Sequence, residues 1–249
     1  MTFRYFIELQ FNGKNFHGWQ VQPNAHTVQS ELNEKLSILV NKPVETVGAG
    51  RTDSGVHAKY FVAHFDIDKE LINLPKLIYK LNNFLHEDIF VMGIHPVSNN
   101  AHARYSALSR TYKYYISTQK DVFRKDLSWL LFSNLEIEAL NAGASEILKY
   151  SDFTSFSKLH SDVKTNTCKI HFSQWTQEKH MLIYTITADR FLRNMVRSIV
   201  GTLIRIGKGK LSIDDFKDII NSKDRSKAGE SAPAQGLFLH DIKYPFPLI

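Results

Sequence analysis

The chain has 249 residues, 43% of them hydrophobic, which suffices for one large or two smaller folded domains and excludes a disordered tail. Lysine and arginine outnumber aspartate and glutamate by 31 to 25, a net charge of +6 that favours a polyanionic partner without requiring one. A single cysteine, Cys168, excludes an intrachain disulfide and a multi-cysteine metal site, and no run approaches the roughly 18 apolar residues of a membrane span. The alternating stretch Met1 to Leu9 lacks a signal peptide's apolar run, so the expected location is the reducing cytoplasm.

In chain order, Tyr5, Ile7, Leu9 and Phe11 alternate with Phe6, Glu8 and Gln10, predicting a strand that ends at the Asn12-Gly13 turn signal. The stretch Phe16 to Gln22 is aromatic and polar and has no period. Thr27 then offers an N-cap, with Val28, Leu32, Leu36 and Leu39 spaced as one helical stripe. Residues Gly48 to Ala58 read GAGRTDSGVHA, a glycine-rich loop that presents Asp53. It runs into Lys59 to Ile67, where Phe61, Ala63, Phe65 and Ile67 alternate with Val62 and His64 as a half-buried strand does. Pro75 opens a second helix carrying Leu77, Ile78, Leu81 and Leu85, and a strand near Ile89 to Ile94 closes this half.

From Arg104 the pattern starts again. Arg110 to Ile116 reads as a strand with Tyr112, Tyr114 and Ile116 on one face, followed by a helix around Ile137 to Tyr150. Cys168 to Phe172 and Met181 to Ala188 read as strands separated by the polar Thr176 to His180. A longer helix is predicted to begin near Phe191, with Leu192, Val196, Ile199 and Leu203 facing the core and Arg190, Arg193 and Arg197 on a second face. Ser212 and Asp215 suggest a capping box for a last short helix, and Ser231 to Leu239 returns from loop to strand. The expected fold class is α+β, in two halves covering residues 1–103 and 104–249, each offering a sheet to a shared cleft.

The candidate chemistry is narrow. Gly48, Gly50 and Gly55 fit neither the phosphate-binding loop nor the dinucleotide fingerprint, and one cysteine cannot supply a zinc deaminase. A strained nucleophile elbow is absent. Cys168, which could in principle add to a pyrimidine, has the apolar neighbours of a buried strand residue. Asp53 remains, either as the acceptor of an Asx-turn or as a functional acid. Its surroundings have plain readings too: Arg51 as a solvated charge, the three arginines as a helix's wet side, Tyr112 and Tyr114 as core, and His57 and His64 as structural. An aspartate in water titrates near 3.9, so at pH 7 no basic partner is needed to ionise one. An arginine near such a group would instead orient it and keep its charge compatible with a site that expels water. An ionised carboxylate acts as a nucleophile or accepts a proton from carbon, and is a poor general acid.

GAGRTDSGVHA resembles the signature of the bacterial tRNA pseudouridine synthase A family. The resemblance extends to FNGKNFHGWQVQ at Phe11 to Gln22, RTYKYYI at Arg110 to Ile116, DFTSF at Asp152 to Phe156, FLRNMVRSIVG at Phe191 to Gly201 and APAQGLFL at Ala232 to Leu239, all in the family's order. Phe11 and Asn12 replace the usual tyrosine and aspartate, and Ser231 stands where threonine is common. The resemblance implies a pseudouridine synthase fold, with mixed, largely antiparallel sheets flanked by helices around a basic cleft. It implies a cofactor-free and metal-free homodimeric enzyme that isomerises uridines in the anticodon arm of tRNA, at positions 38 to 40. It further implies that Asp53 starts cleavage of the uracil–ribose bond, that Tyr112 stacks on the base and helps proton transfer, and that Arg197 pairs with the Asp53 carboxylate at rest. Arg51 would displace or replace the flipped nucleotide, Leu237 would pack beneath the uracil, and Arg190 and Arg193 would hold RNA phosphates. Asp53 could attack a ring or sugar carbon or remove the 2′ proton to form a glycal, the last being preferred. Two other readings stay open: a non-catalytic RNA-binding or RNA-folding protein, and an unrelated carboxylate-dependent enzyme acting on nucleosides or sugars.

Overall fold

The computed structural model describes residues 2–158 and 165–248. Within them lie nine strands and five α-helices of an α+β chain, divided into two units: Met1–Leu108 with Leu239–Ile249, and Ser109–Phe238. The C-terminal segment from Leu239 thus returns to unit 1. Among the described residues, no helix is long and apolar enough to cross a membrane.

In unit 1 the strands β1 (Phe3–Phe11), β3 (His57–Ile67), β4 (Ile89–Val97) and the unit 1 part of β9 (Leu237–Lys243) run in the order β4-β1-β3-β9. The short β2 (Val47–Gly48) is added to β3. β1 pairs antiparallel with both β3 and β4, with Ile7 opposite Ala63 and Ile94. The predicted N-cap at Thr27 starts α1 (Val28–Val40): the Thr27 hydroxyl accepts from the Ser30 N–H and Ser30 reciprocates, a capping box. The buried stripe is Val28, Leu32, Leu36 and Val40. α2 (Leu74–Phe84) carries Pro75 in its first turn, where the missing N–H has no helical partner to lose. The Asn82 amide then brackets Val91, donating to its carbonyl at 2.9 Å and accepting from its N–H at 2.7 Å, which ties α2 to β4.

Alternation in β1 predicts one buried and one wet face, yet Phe6 is fully buried on the second. Rings brought back by the C-terminal segment cover it, Tyr244 at 5.3 Å and Phe246 at 5.9 Å, and His64 flanks it at 6.2 Å. His64 is buried and accepts from the Ala103 N–H through Nδ1 at 3.2 Å. Arg4 holds the same corner, gripping both Asp66 oxygens at 2.7 Å and the Ala101 carbonyl at 2.9 Å.

In unit 2, β5 (Ser109–Ser117), β8 (Met181–Ala188) and β7 (Ile170–Glu178) form an antiparallel set in that order, with β6 (Trp129–Leu130) parallel to β5. The hairpin between β7 and β8 is tighter than its polar stretch suggests, because Lys179 turns the chain in the left-handed region at φ 53°. α3 (Ile137–Glu146) is tied to β7 by a reciprocal amide pair, Asn141 to the Trp175 carbonyl at 3.1 Å and the Trp175 N–H to Asn141 at 2.8 Å. Trp175 stacks on Tyr184 at 4.9 Å in the core. Cys168 is buried, as expected, but precedes β7, and burial pushes its thiol up to about 12, so it is no nucleophile at neutral pH. α5 (Ile213–Ser222) opens with the predicted capping box of Ser212 and Asp215.

Burial, with the Arg4 guanidinium and the His102 ring nearby, pushes the His64 imidazole down to about 4. The unfolded chain protonates such a ring near 6.5, while the folded chain keeps it neutral, so stability is lost as pH falls from about 6.5 towards 4. His64→Gln, which keeps an acceptor for Ala103, is expected to flatten that limb of a denaturation-midpoint profile measured against pH; an unchanged limb assigns it to other groups.

Candidate active site

Asp53 lies in the loop between β2 and β3, half-buried, with exposed Arg51 two residues before it. The loop closes on itself through the Val56 N–H, which donates to the Asp53 carbonyl at 3.2 Å, and Gly55 adopts φ 77° to make that turn. Upstream, the Ala49 N–H donates to the Val62 carbonyl at 2.8 Å, so both ends of the loop are held by β3.

The aperiodic stretch after β1 is what backs this loop. The Gly55 N–H donates to the Phe16 carbonyl at 3.4 Å, the Ser54 hydroxyl to the same carbonyl at 3.3 Å, and the Trp19 N–H to the Thr52 carbonyl at 3.4 Å. Gly18, at φ 83°, lies so close that a Cβ would stand 2.3 Å from the Thr52 oxygen and 3.1 Å from the Asp53 carbonyl carbon. Two independent reasons therefore require glycine there, the left-handed backbone and the close approach. The Gly13 N–H donates to His57 Nδ1 at 3.1 Å, and buried Trp19 packs on Phe61 at 4.2 Å. The far side of the stretch is fixed to α1, where the Val28 N–H donates to the Gly18 carbonyl and the Gln29 N–H to the Trp19 carbonyl. Asn12 accepts from the Lys14 N–H at 3.1 Å and caps the short 3-10 helix Gly13–Asn15.

Unit 2 carries the other sequence candidates. Tyr112 sits on β5 opposite Ile186, half-buried, its ring edge-on to Phe191 at 5.1 Å and 88°. The long helix, α4 (Met195–Gly207), starts later than its apolar period predicts. Asn194 enters the left-handed region at φ 65° and bonds the Ser231 hydroxyl at 2.6 Å, while the Arg193 carbonyl accepts from the Lys158 N–H. Arg190 and Arg193 consequently precede the helix, and of the predicted arginine stripe only Arg197 is helical. Arg193 is exposed and Arg190 half-buried.

Arg197 also organises its neighbourhood. Its Nε–H donates to the Ala232 carbonyl at 2.7 Å, and the Ala232 N–H donates to the Arg197 carbonyl at 3.0 Å. The Tyr114 hydroxyl donates to the Pro233 carbonyl at 2.8 Å, so the segment leading to buried Leu237 is anchored to both α4 and β5. The sequence singled out Arg197 and Leu237 as candidates but not their connection through Ala232. Among the described residues, no group of three or more His, Cys, Asp or Glu side chains is placed to hold a metal ion.

Two outcomes test the loop's construction. Gly18→Ala forces either the 16–19 segment or the Asp53 loop to shift, and is expected to lower the thermal midpoint and cost about 1–3 kcal/mol, a strain-sized effect. Thr52→Val is expected to behave oppositely: the Thr52 hydroxyl is buried with no hydrogen-bond partner among the described residues, so the isosteric change loses no bond and should hold or raise the midpoint. A drop with Thr52→Val would show that the hydroxyl is bonded in the free protein.

The model of the tRNA pseudouridine synthase family matches residues 9–106 and 150–245, which include both the Asp53 loop and the segments bearing Arg197 and Leu237. The chain is 55% identical over 242 residues to the tRNA pseudouridine synthase A of Parabacteroides distasonis, covering 97% of this chain and 96% of that protein. It is 51% identical over 243 residues to that of Bacteroides fragilis, with 97% and 96% covered, and 37% identical over 242 residues to that of Legionella pneumophila, with 96% and 92% covered. Across nearly its whole length, then, including the braced aspartate loop, the chain belongs to the tRNA pseudouridine synthase A family.

Proposed function

We propose that this protein isomerises uridine to pseudouridine in tRNA, with Asp53 as the residue that begins the reaction. The observation that carries the reading is the backing of the Asp53 loop by the 16–19 segment, which holds a single acid on a rigid mount in a chain of this family. Isomerisation consumes no redox equivalent or energy source, because the base is detached, turned and rejoined through carbon.

In the preferred route the Asp53 carboxylate removes the 2′ proton, a C1′–C2′ double bond forms, and N1 leaves with the bond pair as the uracil anion. The base turns, C5 bonds to C1′ as the proton returns to C2′, and loss of the C5 proton with protonation at N1 completes the product. Every atom of the substrate is retained. Arg197 is assigned as counter-charge to the carboxylate, Tyr112 as the ring that stacks on the uracil and assists the C5 proton, and Leu237 as the apolar floor. Arg51 takes the place of the flipped nucleotide. Extruding the base costs a few kcal/mol, which stacking worth about 1–3 kcal/mol per base largely offsets. Arg190 and Arg193 are assigned to phosphates, so affinity should fall as salt rises. The finer assignments belong to the same proposal: uridines of the anticodon arm at positions 38 to 40, a homodimer, and the cytoplasm.

Unmodified tRNA incubated with wild type and with Asp53→Ala should give pseudouridine only with wild type, while both proteins bind the tRNA comparably. Product from the variant would remove Asp53 from the chemistry, and binding without product from wild type would support the non-catalytic reading instead. Arg197→Met loses the Nε–H bond to the Ala232 carbonyl but keeps the backbone bond from the Ala232 N–H to the residue 197 carbonyl, so it is expected to fold and bind yet lose turnover by about 100-fold or more, the scale of a lost preorganised charge. Turnover near wild type would exclude Arg197 from the site.

A further inference from the structure

The glycines around Asp53 divide into two kinds. A Cβ at Gly13, Gly18 or Gly48 would meet another atom at 2.1, 2.3 or 2.5 Å respectively, so the fold itself demands their bareness. Gly50 is different. Among the described residues, no heavy atom beyond its chain neighbours lies within 4 Å of where its Cβ would stand, and its φ is outside the left-handed region. Among the described residues, neither a Cβ contact nor a left-handed backbone requires glycine there, and glycine raises the entropy lost on folding.

A bare Cα with no internal reason has one remaining steric use, to let another molecule approach the backbone closely. Its position says which molecule. Gly50 is partly exposed, the next residue is the exposed cation Arg51, and Asp53 follows three residues on. We infer that the sugar–phosphate backbone at the target nucleotide rests against Gly50, in van der Waals contact with its Cα, with the Arg51 guanidinium beside it. Gly50 is thus a positioning residue: it sets how deeply the strand settles, and through that where C1′ and C2′ lie relative to the Asp53 carboxylate. The inference rests on the tRNA reading above.

Gly50→Ala and Gly50→Val test it, with thermal midpoint and kcat/KM on unmodified tRNA as readouts. The midpoint should equal or exceed wild type for Gly50→Ala, in contrast to Gly18→Ala. The kcat/KM should fall about tenfold with alanine and towards 100-fold with valine, the range expected when a reacting group is displaced by an ångström or less. Unchanged kcat/KM in both variants would overturn the inference. So would an equal loss in both, which signifies a hinge insensitive to side-chain size, or a lowered midpoint with alanine, which signifies a structural glycine. Wild type on the same tRNA separates the two levels: product from wild type with either of these results sinks the Gly50 assignment alone, whereas no product from wild type sinks the tRNA reading and this inference with it.

Discussion

The contact between the Gly18 backbone and the Thr52 carbonyl is the constraint on which the Asp53 loop depends. An aspartate on a free glycine-rich loop would sample many positions, and the chemistry proposed for Asp53 needs one. Here the loop is held along its length: by β3 at each end, and from behind by a segment whose own far side is hydrogen-bonded to the first turn of α1. The capping box at Thr27 therefore bears on the Asp53 loop indirectly. It fixes the helix that fixes the segment that fixes the loop.

Unit 2 uses the same device with different parts. Arg197 is mounted on a helix whose core face is fully buried, and its Nε–H is spent on the Ala232 carbonyl. That bond defines the side-chain direction and at the same time anchors the strand-bound segment carrying Leu237. A lysine would carry the charge without the planar fork that performs both tasks. The tertiary fold also decides which histidines matter for stability. His64, neutral and buried against the Ala103 N–H, is a structural acceptor, which agrees with its plain reading and excludes it as a proton shuttle near pH 7.

Glycine accounts for much of the logic of the site. Bareness demanded by internal packing and bareness left facing outward look identical in a sequence, since both are the letter G. Only the positions of surrounding atoms separate Gly18, pressed against a carbonyl, from Gly50, with open space where a side chain would stand.

Short-range physics made a good deal of this protein legible without coordinates. Period-two alternation located β1, β3 and β5, and hydroxyl caps located α1 and α5, because each signal arises within a few residues of the element it marks. The Asp53 loop stood out for the same reason, as an acid among glycines. What lay beyond reach depended on contacts between distant segments. The burial of Phe6 required rings from the C-terminal segment, and the late start of α4 required Ser231 to hold Asn194 in the left-handed region. The bracing role of Phe16 to Trp19 required a partner more than thirty residues away. A linear pattern records which side chains are apolar and how they repeat; it does not record which chain brings an atom to the far side of a backbone, and that is what decides these three features.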